Sequence, residues 1–257
     1  MSPASQAEPS RPGPMARLRR ALRLPLPGYR AYRQLLAGRS GLEIGGPSKL
    51  FRRDLPIYRV IAALDGLNFS THTVWEGALS EDRPFVWHPQ RQGRQFIGEG
   101  SDLSRFADAS YDFLLSCNNL EHVANPLRAL AEWQRVVRPG GHVLLVLPRK
   151  ESNFDHRRAV TSFAHLLADL KHGSNEHDLS HLDEIVQFHD RSMDAASGDA
   201  ETFLARSLKN FENRCLHHHV FDPALIDQVL AHAGLQVLLR NSTFTDHIAL
   251  ARKPLVG

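Results

Sequence analysis

Cysteine is scarce. Cys117 and Cys215 are the only two in 257 residues, too few for a disulfide framework or a four-cysteine zinc site, and such sparing use fits a reducing compartment. Long apolar runs are missing too. The run at residues 143–147, as long as any, is far too short to cross a bilayer. No apolar secretory core follows the N-terminal charges, so a cytoplasmic location is expected. An excess of positive charge is also absent from most of the chain. Residues 1–33 hold seven arginines and one glutamate, whereas the rest holds 24 basic and 27 acidic side chains. The net charge of +3 therefore belongs to a tail. A mildly acidic body lacks the cationic face that nucleic-acid binding needs. What remains is an ordinary globular composition, 42% apolar and 23% charged, in a chain long enough to bury a sizeable core without staples.

Residues 1–14 contain four prolines and no apolar periodicity and read as disordered. Residues 15–38 are basic, with Leu18, Leu22, Leu35 and Leu36 as possible anchors. Pro25, Pro27 and Gly28 break the stripe that a membrane-surface helix would need, which favours a docking segment. From residue 40 a repeating order of strand, glycine turn and helix sets in. Strands are expected at 41–44, 60–64, 94–97, 111–116 and 143–147, and a closing pair at 235–239 and 247–251. Residues 126–137 carry helical spacing, with Asn125 as N-cap and Pro126 at the first helical position. A second helix is expected at 223–233, stopped by Gly234. This alternation predicts an α/β fold, a mostly parallel sheet with helices on both faces and ligands beyond the carboxyl ends of the strands. The domain plan is a basic arm at 1–38, then one domain at 39–257 with a lid-like insertion at 149–215.

Three stretches carry chemistry. Leu42-Glu43-Ile44-Gly45-Gly46-Pro47-Ser48 puts a carboxylate and two glycines at the end of the first strand, where backbone can approach a nucleotide-like ligand. Asp65, twenty residues after Gly45, is spaced to hold a ribose, although Asp65-Gly66 also reads as a turn. The third runs from Gly98 to Pro148 and supplies in order Asp102-Leu103, Tyr111-Asp112, Leu120-Glu121-His122, Asn125-Pro126 and Pro139-Gly140-Gly141.

That order and spacing resemble the core of class I S-adenosylmethionine-dependent methyltransferases, in particular the type 11 group. The resemblance covers residues 40–150 well and 220–252 loosely. It implies a Rossmann-like seven-stranded sheet whose last strand is antiparallel, an insertion after strand 5, and S-adenosyl-L-methionine as cofactor. It further implies that Glu43, Gly45 and Gly46 line the methionine and ribose side and that Asp65 holds the ribose. Asp102 and Leu103, with Glu99 as a competitor, would flank the adenine. Cys117 and Asn118 would sit beneath the sulfonium. One departure stands out: Pro47 and Lys49 occupy positions where the family has glycines, and proline cannot take positive φ. Cofactor binding through a variant loop is the preferred reading, and a catalytically inactive scaffold is the alternative.

Nine of fifteen histidines lie between His156 and His219. No H-E-x-x-H signature accompanies them, so they are read as solvated or substrate-facing and no metal is assigned, with a histidine-metal hydrolase as the lesser alternative. A histidine could serve as base for a hydroxyl acceptor, with His122, His156 and His218 as candidates. Asn153, Asp155, Arg157 and Arg158 lie just past the fifth strand, where an acceptor would wait, and the arginine pair could clamp an anion. The acceptor is expected to be a small molecule or a sugar-containing metabolite. No nucleic-acid partner is expected, and weak contact with an anionic surface is expected through residues 1–33.

Overall fold

Largely apolar segments must be covered on both faces, and three of them, at 41–44, 111–116 and 143–147, sit side by side in the middle of a sheet. The computed structural model describes residues 13–22 and 24–255. Its main sheet comprises β1 (Ser40–Ile44), β2 (Ala63–Asn68), β3 (Pro84–His88), β4 (Arg91–Ile97), β5 (Tyr111–Cys117), β6 (Val137–Pro148), β7 (Gln236–Ser242) and β8 (Asp246–Arg252). The spatial order is β3-β4-β2-β1-β5-β6-β8-β7. Strands β4, β2, β1, β5 and β6 are parallel, and β8 runs antiparallel between β6 and β7. Seven strands were expected and eight are present. The extra one, β3, pairs antiparallel with β4 at the sheet edge. Its residues alternate, with Phe85 and Trp87 buried and Val86 exposed, the signature of a half-covered edge strand.

The second strand differs from expectation in a way that matters. Residues 60–64 were expected to form it, ending at Asp65. Instead Ile57–Arg59 makes a turn of 3₁₀ helix, Ile61 drops into the core, and β2 begins at Ala63. Its register against β1 runs from Ser40↔Ala63 to Ile44↔Leu67, so the carboxyl end of β2 is Asn68.

Six helices matter for the site: α1 (Tyr29–Leu36), α2 (Pro126–Val136), α3 (Phe163–His172), α4 (Leu182–Phe188), α5 (Ala200–Leu208) and α6 (Pro223–His232). The Asn125 side chain accepts from Arg128 N at 3.1 Å and caps α2, as the sequence predicted. Helix α2 buries Leu127, Leu130, Trp133 and Val136 on one sheet face, together with Leu225 and Val229 of α6. The opposite face is covered by Tyr32 and Leu36 of α1 and by Phe51, Leu55 and Tyr58. The docking role expected for residues 15–38 thus falls to α1, whereas Leu18, Leu22 and Leu24 are exposed. The disorder expected over residues 1–14 lies almost wholly outside the described residues. Helices α3 to α5 occupy the insertion, where Ile185, Phe203 and Leu216 form a small core of their own. No helix among the described residues is long and apolar enough to cross a membrane.

Candidate active site

At the carboxyl ends of β1, β2 and β5 opens a cleft of about 880 Å³, roofed by residues of the insertion. Its floor is made by the turn after β1. Gly45 and Gly46 have φ of +75° and +82°, a conformation glycine adopts without strain. A Cβ on Gly46 would stand 2.5 Å from Glu43 Oε1. Glu43 itself is fully buried beneath the turn. Its Oε1 accepts from Ser48 N at 3.2 Å and Ser48 Oγ at 2.6 Å, and its Oε2 accepts from Tyr58 OH at 2.5 Å. Burial pushes the carboxyl up to about 7, against the pull of those hydrogen bonds. Glu43 therefore braces the glycine turn from below and does not line the cleft.

Of the residues expected to meet the cofactor, Gly45, Gly46, Glu99, Cys117 and Asn118 line the cleft. Asn118 has φ of +50° and donates through Nδ2 to Asp246 Oδ1 at 3.1 Å. Burial pushes the Cys117 thiol well up, so it is held neutral.

Besides Glu43, three expectations on the cofactor side are corrected. Asp65 sits in mid-strand because β2 starts late; its carboxylate accepts from Tyr111 OH at 3.0 Å and Arg94 N at 2.8 Å, away from the cleft. The position at the strand end belongs to Asn68, which is buried, lines the cleft and has no partner for its Nδ2. Asp102 and Leu103 are drawn toward α2 instead. Leu103 is fully buried with its N–H on Glu132 Oε2 at 2.8 Å, and Asp102 accepts from Ser104 N at 3.1 Å.

The acceptor side is rearranged more. Asn153 and His122 line the cleft. Arg158 was expected to clamp an anion but is 1% exposed, donating to Asp155 Oδ1 at 3.0 Å, Glu184 Oε1 at 3.2 Å and the carbonyls of His217 and His218. Arg157 and His156 both turn to Asp190, each at 2.9 Å, outside the cleft. The histidines between His156 and His219 are not solvated as a group either: His181, His217, His218 and His219 are all buried. The three consecutive rings take three different neighbours. His218 meets Asn210 at 3.0 Å, and burial lowers it to about 3, so it is no base for the cleft. His219 turns toward His165 and His181.

His217 is the one that reaches the cleft. Its Nδ1 meets Asp155 Oδ2 at 2.5 Å, leaving the other ring nitrogen free. Burial opposes charge on His217, but the Asp155 and Glu121 carboxylates outweigh it and hold the imidazole above its usual value. Burial likewise opposes charge on Asp155, yet His217 and Arg158 hold it down to about 2. Next to His217 stand His122 and Glu121, with one ligating atom of each within 4.8 Å of the others. Burial drives His122 well below its usual value, toward the neutral form, and raises Glu121 to about 7. Neither oxygen of Glu121 has a hydrogen-bond partner. Arg214 closes one side of the cleft: it pairs with Glu99 and with Glu176 at 3.3 Å, and its guanidinium lies over Phe69 and Phe211.

Asn68, Glu121, Glu176, Arg214 and His217 line the cleft without having been expected from the sequence. Asn68 was hidden by a misplaced strand end, and the others by partners far away in the chain. Glu121 alone carried a visible signal, as the centre of Leu120-Glu121-His122.

Residues 59–145 match the sequence family described as a methyltransferase domain. Among solved structures, an S-adenosylmethionine-dependent methyltransferase from Methanosarcina mazei is similar over 91% of this chain and 100% of its own, with 17% identity and a TM-score of 0.50. Another from Mesorhizobium loti is similar over 88% of this chain and 96% of its own, with 15% identity and a TM-score of 0.52. At such identities the likeness speaks for the fold. No curated protein matches the sequence. Part of the chain, residues 59–145, thus matches a methyltransferase domain, and its fold is the Rossmann-like one of those structures, in line with the resemblance read from its motifs.

Proposed function

We propose that the chain transfers a methyl group from S-adenosyl-L-methionine to a hydroxyl of a small-molecule or sugar-containing acceptor. The observation that carries the reading is the Asp155–His217 pair, together with unpartnered Glu121, in the same cleft as the Gly45-Gly46 turn. The cleft fits the cofactor on its own geometry. A buried, unpartnered Asn68 amide waits at the end of β2 to meet a ribose hydroxyl, and Gly46 leaves no room for a Cβ beside Glu43. Seven carboxyl groups line the cleft against one lysine, two arginines and two histidines, a balance that suits a sulfonium cation.

Gly45, Gly46, Asn68, Glu99, Cys117 and Asn118 would hold the cofactor, which supplies an activated methyl on a positively charged sulfur. Glu121 orients the acceptor by accepting from one of its hydroxyls or amines. With the cofactor bound, its methyl would pass to an acceptor hydroxyl held beside these residues, leaving the neutral thioether. His217 takes the hydroxyl proton, and Asp155 fixes its tautomer and stabilises the imidazolium. The residues of the insertion that roof the cleft would limit water and hold the reactants in line.

Calorimetric titration with S-adenosylmethionine and S-adenosylhomocysteine tests the first half. Wild type should bind both, and Asn68→Ala should bind about tenfold more weakly, a loss of about 1.4 kcal/mol. Folded protein that binds neither would hand the first place to the inactive scaffold. The hydrolase alternative has one observation in its favour, the closeness of Glu121, His122 and His217. It requires turnover that stops on chelation and does not need S-adenosylmethionine.

A further inference from the structure

Away from the cleft, four other side chains converge. His165 and Asp169 are four residues apart on α3 and so share one face of the helix. His181 comes from the segment entering α4, and His219 from the extended segment before α6. One ligating atom from each lies within 4.8 Å of all the others. His165 Nε2 is 3.1 Å from His181 Nε2 and 3.2 Å from Asp169 Oδ2, and His219 Nε2 is 3.8 Å from the same oxygen. Zinc held tetrahedrally at roughly 2.0–2.1 Å keeps its donors about 3.4 Å apart, so these spacings bracket the required edge.

Hydrogen bonding within the cluster leaves it unfinished. Asp169 is 6% exposed, and its Oδ2, the oxygen aimed at the histidines, has no hydrogen-bond partner. The other oxygen accepts from Ser174 Oγ at 3.2 Å. His219, 1% exposed, faces the Ala124 carbonyl through Nε2 at 3.2 Å, a contact that a ligand on that nitrogen would replace. None of the four residues lines the cleft.

We propose that His165, Asp169, His181 and His219 form a binding site for one zinc-type divalent cation. Three imidazoles and one carboxylate suit zinc, whereas magnesium and calcium demand oxygen ligands throughout. Four protein donors close the coordination sphere, which makes the site structural. The cation fastens three separate parts of the chain to each other: α3, the entry to α4 and the approach to α6. Because Asn125 Nδ2 donates to the Asp169 carbonyl at 3.2 Å, the same point also ties the insertion to the start of α2.

The test uses the full chain purified without a polyhistidine tag. Mass-spectrometric metal analysis should find about one zinc per chain, and the cobalt(II)-loaded protein should show the visible bands of tetrahedral coordination. The double variant His165→Ala/His181→Ala should lose the metal, while His217→Gln, which alters the cleft, should keep it. Chelation should lower the melting temperature of wild type and leave that of a folded double variant unchanged. Wild-type protein that takes up neither zinc nor cobalt would overturn the proposal. So would metal retained by the double variant, or metal lost only in His217→Gln. The wild-type uptake and cobalt spectrum keep the test decisive if the double variant does not fold.

Discussion

Glu43 shows how one buried carboxylate can brace a cleft that it does not line. Its raised folded-state value, about 7, means the neutral form is favoured on folding. Stability from this group is full below its ordinary value of 4.5 and is lost as pH rises through 7. Glu43→Gln should therefore show a smaller drop in melting temperature between pH 6 and pH 8 than wild type. An equal drop in both proteins would remove the linkage. His217 gives the opposite kind of experiment. A base must be neutral, and its partner carboxylates keep His217 protonated above its ordinary 6.5. Activity should rise as pH climbs through that raised value and then level off. His217→Gln should lower kcat by roughly a hundredfold or more and flatten that limb; an unchanged profile would place the base elsewhere. At this scale the sequence was legible where a motif names the residue, as for Gly45, Gly46, Cys117 and Asn118. It misled where a side chain's partner is distant. Arg158 reads as an exposed clamp until Asp155, Glu184 and two carbonyls are seen to enclose it.

Elements were more legible than residues, because periodicity and caps are local. Helix α2 ended within one residue of expectation, and its cap is the one the sequence named. Asn125→Ala should cost about 1 kcal/mol for the lost cap, with a further loss because the same amide holds the Asp169 carbonyl; denaturant unfolding would measure it. The glycine turn after β1 gives the sharper test. Gly46→Ala would press a Cβ on the Glu43 carboxylate at positive φ, so cofactor affinity should fall by more than the melting temperature suggests. Where element boundaries failed, the cause was physical. Val60 and Ile61 are apolar but belong to a buried turn, and reading them as strand moved the end of β2 by three residues. That single slip put Asp65 in the site and left Asn68 out.

On the scale of the whole molecule, the mostly parallel sheet and the position of the cleft followed from alternation, whereas the order of the strands and the organisation of the insertion did not. Helices α3 to α5 are short, and their histidines pair through contacts between residues 16 to 62 positions apart. No local pattern announces such pairings. The arm separates into two parts: α1 belongs to the core, while Leu18, Leu22 and Leu24 stay exposed among arginines. Deleting residues 1–24 should reduce cosedimentation with anionic vesicles at low salt and leave neutral vesicles unaffected. Equal binding before and after deletion would dismiss a surface-contact role for that stretch.

The two margins of the sheet bear on how copies of the chain behave when crowded together. Strand β3 opens with Pro84, which offers no N–H, and its pairing slips between Val86 and His88. At the other margin the pairing of β7 with β8 slips at Leu250 and Ala251, and Asn241 of β7 donates to the Pro27 carbonyl at 2.7 Å. Interrupted, proline-marked edges discourage strand-by-strand aggregation. A truncation that ran past Pro27 would remove this contact on β7, and its first symptom would be precipitation during concentration.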